Sequence, residues 1–341
     1  MGAPVCLSLS WVLLQLGATP APTASIHFDE GLAAEAKGDV ATAQRAYEQA
    51  LALEPEHGRS LVNLGLLEIR KGKAKAGQAH CQRALELDPE ASKVHYCLGL
   101  YEARNKAWDA AAAAFDRAIA LLPTDPAPRV ELGHVRRLQQ KYEAAVQAYK
   151  EAVRANADDP DLHVHLGYCY KQLAQYPAAV VEYRKAVQKD PQSFYGHLNL
   201  GWVLVKLKND VEAEPAYLRA AELDPKHPDP HFNLGNLYRR KGDLAAAKQH
   251  YGDAARLGPK VMEHHLEYAR TLWQLGEVPA AKATLTVAKG LEGTPEQAQA
   301  VTKLEGLLDK PPPTPVKADP KARGPAPPRE GRPPAERAPT P

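Results

Sequence analysis

Between residues 24 and 295, apolar residues recur every three or four positions in stretches of about a dozen, separated by short polar breaks. That spacing puts them on one face of a helix, not on alternating faces of a strand. The stretches come in pairs, and the pairs recur every 34 residues. Residues 228–261, PDPHFNLGNLYRRKGDLAAAKQHYGDAARLGPKV, spell out one unit, and eight copies follow one another without insertion or deletion. The pattern predicts an all-α chain of eight helix–turn–helix repeats.

Five positions of the unit are readable in physical terms. Position 8 is Gly31, Gly65, Gly99, Gly133, Gly167, Gly201, Gly235 and Ala269. Position 20 is Ala or Gly throughout, and position 27 is Ala from Ala50 to Ala288. Small residues there predict close approach of the two paired helices. Position 24 is Tyr47, Cys81, Phe115, Tyr149, Tyr183, Tyr217, Tyr251 and Leu285, a larger group expected to fill the space between one pair and the next. Gly38, Gly72, Gly242 and Gly276 stand in the polar breaks and suit a tight turn. Pro at position 32 follows the second helix and stops it. One pair cannot bury its apolar face alone, whereas stacked pairs can.

This pattern resembles the tetratricopeptide repeat (TPR) family over residues 24–295. The resemblance implies a TPR solenoid: a right-handed superhelix of eight repeats with a concave groove that accepts another polypeptide. Departures are local. Repeat 8 (262–295) lacks the Gly at position 8 and the Pro at position 32, as a terminal repeat does. Repeat 2 carries Cys81 where a ring belongs, which predicts looser packing. Residues 296–310 place Ala300, Leu304 and Leu307 at helical spacing and read as a capping helix over repeat 8.

The two ends differ from the middle. Residues 1–23 hold no charged residue or His, and the run Val5 to Ala18 has the length of a signal-peptide core and is short for a bilayer span. No basic residue precedes it, so either an upstream start or a non-export extension remains the alternative. Residues 311–341 are rich in Pro, with Lys and Arg in excess, and read as an extended, disordered tail. The leader points to a periplasmic or exported protein, with a cytoplasmic location as the alternative. Cys97 and Cys169 read as small buried residues, and with Cys81 they make an odd set of thiols that weighs against an oxidising compartment. The Ala-, Arg- and Pro-rich composition suggests a bacterial source.

A formal net charge of +2 argues against nucleic acid as the main partner. No phosphate-binding Gly loop, G-x-S-x-G, H-E-x-x-H or C-x-x-C occurs in the sequence. No enzyme, cofactor or metal site is therefore expected. Position 4 is His27, His95, His163, His197, His231 and His265 in six repeats, a ladder that reads as packing because metal ligands must converge.

If the resemblance holds, positions 2, 5, 6, 9, 12 and 13 line the groove. Asn63, Asn199, Asn233 and Asn236 then look like part of the asparagine ladder of O-GlcNAc transferase arrays, which holds peptide backbone; an inter-repeat hydrogen bond is the alternative for each. Repeats 2–4 bring Arg59, Arg70, Lys93, Arg104 and Arg137 against Glu131 alone. Repeats 5–7 bring Tyr168, Tyr195, Trp202 and Phe232 among Lys171, Lys206, Arg239 and Arg240. Aromatic anchors beside Arg and Lys are hot-spot chemistry. The expected partner is an extended or helical protein segment with an acidic stretch. The expected role is a scaffold or adaptor in a bacterial cell-envelope assembly of the secretion, pilus or motility type. A regulatory or targeting subunit of a separate enzyme and a self-associating structural module are the alternatives.

Overall fold

A computed structural model describes residues 23–310. The leader and the Pro-rich tail lie outside these residues. The described chain divides into two compact units, the first ending at Ala157 and the second beginning at Asp158. Among the described residues, all regular structure is helical.

Unit 1 holds four helix pairs: α1 (Ala24–Ala36) with α2 (Val40–Leu53), α3 (Gly58–Arg70) with α4 (Ala74–Leu87), α5 (Ser92–Arg104) with α6 (Trp108–Leu121), and α7 (Ala127–Leu138) with α8 (Tyr142–Ala155). Unit 2 holds α9 (Pro160–Gln172) with α10 (Tyr176–Lys189), α11 (Phe194–Lys206) with α12 (Asp210–Leu223), α13 (Pro228–Arg240) with α14 (Leu244–Leu257), and α15 (Met262–Gln274) with α16 (Val278–Lys289). It closes with α17 (Pro295–Leu308). Within each unit, a helix packs most closely on its partner and next on the first helix of the following pair. Each unit is thus an α-solenoid, and its core is a chain of small clusters shared by neighbouring pairs.

The turn inside every pair is the same device. Position 15 has positive φ in all eight, at Gly38, Gly72, Lys106, Gln140, Ala174, Lys208, Gly242 and Gly276. The amide after it reaches back five residues, as Asp39 N to Ala34 O (2.9 Å) and Gln175 N to Tyr170 O (2.9 Å). This Schellman closure satisfies carbonyls that the helix end leaves bare. Four repeats hold it without glycine, at the steric cost of a Cβ in the left-handed region. Ala174 sits there at φ 55° with its side chain in solvent. Ala174→Gly should stabilise unit 2 by about 0.5–1 kcal/mol in chemical denaturation, since strain relief exceeds the added unfolded-state entropy.

Position 24 does more than the spacing suggests. Tyr47, Phe115, Tyr183 and Tyr217 share core clusters with residues of the following pair, and six of the position-24 rings also lie against the position-8 glycine of their own repeat. A Cβ at Gly31, Gly99, Gly133, Gly167, Gly201 or Gly235 would fall 2.3–2.7 Å from the ring of Tyr47, Phe115, Tyr149, Tyr183, Tyr217 or Tyr251. Glycine is needed at position 8 to seat the ring. Repeat 2 is not looser for lacking one. Its helices come closer instead: a Cβ on Gly77 would sit 2.5 Å from the Gly65 carbonyl oxygen, and Cys81 is fully buried.

Cys81 is also not a lone thiol. It forms a disulfide with Cys97, joining α4 to α5 across a Cα–Cα distance of 6.2 Å. Their sequence separation of 16 obscured the pairing, because the two residues meet only once neighbouring pairs stack. Cys169 is buried. Closing a loop of this size removes unfolded-state entropy equivalent to about 3 kcal/mol. Reduction should therefore lower the melting temperature of unit 1, and Cys81→Ser/Cys97→Ser should reproduce the shift without reductant.

Helix α17 packs on repeat 8 through the face expected of residues 296–310, with Leu304 at its centre. Val301, Leu304 and Leu308 are buried on α15 and α16, while Ala300 and Leu307 are only partly covered. Thr294 and Gln297 exchange hydrogen bonds in a capping box that starts it.

Candidate functional site

In unit 1 the ends of three successive first helices bring cations together. Arg70 ends α3, Arg104 ends α5 and Arg137 lies in the last turn of α7. Such positions favour cations, because the helix carbonyls there carry partial negative charge. All three line a cavity of 490 Å³ with Tyr96, Leu100, Trp108, Glu131, His134 and Val135. Arg104 donates to the Arg70 carbonyl oxygen at 3.1 Å, which fixes the spacing of the two helix ends. Arg70 faces Glu35 at 3.9 Å with most of its side chain in solvent. The Tyr96 hydroxyl is pushed above its ordinary pKa, first by burial and then by the Glu131 carboxylate, while Arg70 opposes the shift. The cavity therefore has an aromatic and apolar floor with a mainly cationic rim.

Trp108 was not among the residues expected from the sequence. It opens α6 at position 17, where Ala74 stands in the preceding repeat. An aromatic at the first turn of a second helix was the available signal. Tyr176 at the same position of repeat 5 repeats it, with its ring 5.9 Å from Trp202 in an edge contact.

A second cavity of 370 Å³ in unit 1 is lined by Phe28, Arg59, Val62, Asn63, Lys93 and Val94 among others. The Arg59 guanidinium sits 4.5 Å over the Phe28 ring. Asn63 is buried, and its amide donates to the Tyr47 hydroxyl at 3.1 Å, which in turn donates to Glu35 at 2.6 Å. That bond links repeat 2 back to repeat 1.

Unit 2 assembles a different cluster. The Lys171 ammonium lies 4.9 Å from the Tyr168 ring centre and 5.3 Å from that of Trp202, and Lys206 lies 4.8 Å over Trp202. Burial among these rings pushes the Lys171 pKa down. Lys171 donates to Asn199 Oδ1 at 2.8 Å, and the Asn199 amide donates to the Tyr195 carbonyl at 2.9 Å. Asn236 accepts from the Tyr251 hydroxyl at 2.8 Å. Tyr251 also accepts from Arg239, and burial pushes its pKa up to about 12. Phe232 packs its ring 5.8 Å from Tyr251 and 5.0 Å from His264, and Asn233 beside it is half-buried. Arg240 turns to an ion pair with Asp210. The sequence-predicted residues thus gather as Arg70, Arg104 and Arg137 in unit 1, and as Tyr168, Lys171, Asn199, Trp202 and Lys206 in unit 2. Phe232, Asn236 and Arg240 point to other partners.

Position 4 has a structural task in several repeats. His95, His197 and His265 bond through Nε2 to the carbonyl oxygens of Pro89, Pro191 and Pro259 at 2.8, 3.3 and 3.0 Å. Arg129 does the same to Pro123 at 2.7 Å. Each bond clamps the loop that enters the repeat. Burial is the leading cause of lowered pKa values at His197 and His264. The unfolded chain, with imidazoles near 6.5, then takes up protons that the folded chain refuses. The stability these residues provide is present above that value and lost as pH falls from it through the folded pKa. The melting temperature should therefore drop between about pH 7 and pH 5, and a flat profile would contradict the burial of these rings.

Family models described as Tetratricopeptide repeat match residues 28–91, 64–126, 170–228 and 216–249, and one described as TPR repeat matches residues 133–174. Together they span more than half of the sequence, and the chain belongs to the tetratricopeptide repeat family. Among solved structures, Pseudomonas aeruginosa PilF is similar at 18% identity and a TM-score of 0.54, over 63% of this chain and 98% of that one. PilW, described as a type IV pilus biogenesis factor, is similar at 17% and 0.53, over 62% and 98%. A chain of the APC/C assembly Cut9–Hcn1 is similar at 15% and 0.54, over 78% and 52%. At these identities the likeness is one of fold. No curated protein matches the sequence.

Proposed function

We propose that the protein is a non-catalytic scaffold whose first unit binds an acidic segment of a partner protein. The observation that carries this reading is the 490 Å³ cavity, with Arg70, Arg104 and Arg137 around a floor of Tyr96, Leu100 and Trp108. A carboxylate-bearing segment meets guanidinium groups that pair with it in bidentate fashion. An apolar side chain of the same segment fills the floor, where burial supplies affinity and the charges supply specificity. The Lys171–Trp202–Lys206 cluster of unit 2 offers a second cationic and aromatic surface of the same chemistry.

Two features support an exported, envelope-located scaffold: the signal-peptide-like residues 1–23 and the Cys81–Cys97 disulfide, a bond that persists in oxidising compartments. The family of envelope assemblies that includes pili is the setting this reading favours.

The test is fluorescence anisotropy with the full chain and labelled peptides. A Glu-rich peptide with one Leu or Phe anchor should bind, and its affinity should fall as salt rises. The same peptide with Lys in place of Glu should not bind. Equal binding of both, or of neither, ends the reading.

A further inference from the structure

We propose that repeat 7 contains a binding site for one divalent transition-metal ion of the zinc class, formed by His231, His250 and Asp253. His231 lies in the first turn of α13, while His250 and Asp253 lie one turn apart on α14, facing it. The Nδ1 atoms of the two imidazoles are 3.4 Å apart. His231 Nδ1 is 4.0 Å from Asp253 Oδ2, and all three donor atoms lie within 4.8 Å of one another.

The nitrogen separation is the telling value. Two imidazole nitrogens bound at about 2.0–2.1 Å to an ion with tetrahedral angles lie roughly 3.4 Å apart. An Nδ1–H···Nδ1 hydrogen bond holds the pair in the same register, and the ion takes the place of that proton, which moves to Nε2 of the same ring. Asp253 must close on both imidazoles, by up to about 1.5 Å, to complete the set. Its Oδ1 accepts from Arg256 at 2.8 Å, which leaves Oδ2 directed at the imidazoles. The Tyr238 ring stacks on His250 with an interplanar angle of 2° and a centroid distance of 5.3 Å. The Tyr238 hydroxyl donates to Glu214 at 2.6 Å, so the stacking surface is itself anchored. Side-chain exposures of 18% for His231 and 29% for Asp253 leave a way in for an ion and a water in the fourth position.

Repeat 5 shows what the same register does without this chemistry. There positions 4 and 23 are His163 and Glu182, joined at 2.6 Å as an imidazole and a carboxylate. In repeat 7 position 23 is His250, and a third donor, Asp253, follows it. Two imidazoles and one carboxylate suit zinc, cobalt, nickel or copper; calcium and magnesium demand more oxygen ligands. The ladder of position-4 histidines concealed the site, because the second histidine comes from the other helix of the pair.

The experiment uses the untagged full chain, stripped with a chelator and titrated with Co²⁺ and then Zn²⁺. One equivalent of Co²⁺ should give the visible absorption of a tetrahedral site, and Zn²⁺ should displace it and raise the melting temperature. His250→Gln, which keeps the side chain's bulk and the fold, should weaken zinc binding by at least about 10–100-fold, the loss seen even for supporting residues. Asp253→Asn should also weaken it. His265→Ala, which removes only a loop clamp, should not. Absence of a saturable Co²⁺ or Zn²⁺ signal overturns the proposal, as does equal affinity in His250→Gln and the parent chain.

Discussion

Tyr183→Ala should cost unit 2 about 3–5 kcal/mol of stability, the largest effect expected of any single substitution here. The Tyr183 side chain is fully buried, and its ring fills the groove that Gly167 leaves open on α9. Truncation removes the ring's packing and leaves a cavity between two helix backbones that cannot collapse onto each other. Tyr183→Phe separates ring from hydroxyl. The Tyr183 hydroxyl is buried without a hydrogen bond, so its removal should be neutral or mildly stabilising. Tyr47→Phe should instead destabilise, because that hydroxyl serves both Glu35 and Asn63. Urea denaturation of the three variants checks the set. A small loss for Tyr183→Ala would mean that ring and glycine do not interlock.

The second large effect concerns binding. Replacing Arg70, Arg104 and Arg137 together with Ala should weaken the acidic peptide by more than about 100-fold at low salt. Each hydrogen bond to a charged group contributes on the order of 1.5–3 kcal/mol, and three are removed. The salt dependence should flatten with it. Far-ultraviolet circular dichroism should stay unchanged, since Arg70 and Arg104 are exposed and none of the three belongs to the buried core. Unchanged affinity would move the binding surface to the Lys171–Trp202–Lys206 cluster, which Trp202→Ala then tests.

Much of the fold was legible in the chain because each repeat states it again. A single Gly or Tyr says little, but Gly at position 8 and a ring at position 24 recur at fixed spacing, and fixed spacing is geometry. What the repeat does not restate was harder to read. The Cys81–Cys97 bond, the His231–His250 contact and the cavity-lining Trp108 each depend on residues that occur once and meet across helices. The interlocking of ring and glycine within a repeat also went unread, since periodicity fixes which residues are small and large but not every neighbour each one faces. The convergence of Arg70 and Arg104 could be read off, because both hold position 13 and stacking aligns equal positions. Asn63 and Asn199 make the inter-repeat hydrogen bonds that stood as the alternative, but their partners Tyr47 and Lys171 could not be read off, because an amide bonds to whichever donor or acceptor the fold brings near.

The Cys81–Cys97 bond has a mechanical consequence. A stacked array pulled from one end comes apart hairpin by hairpin, since each layer is held only by the next. A covalent tie between the second and third layers interrupts that peeling, so extension under load should halt there in oxidised protein and run past it once the bond is cut. A scaffold tensioned between partners would thereby keep residues 82–96, the loop that the bond closes, out of the extended length.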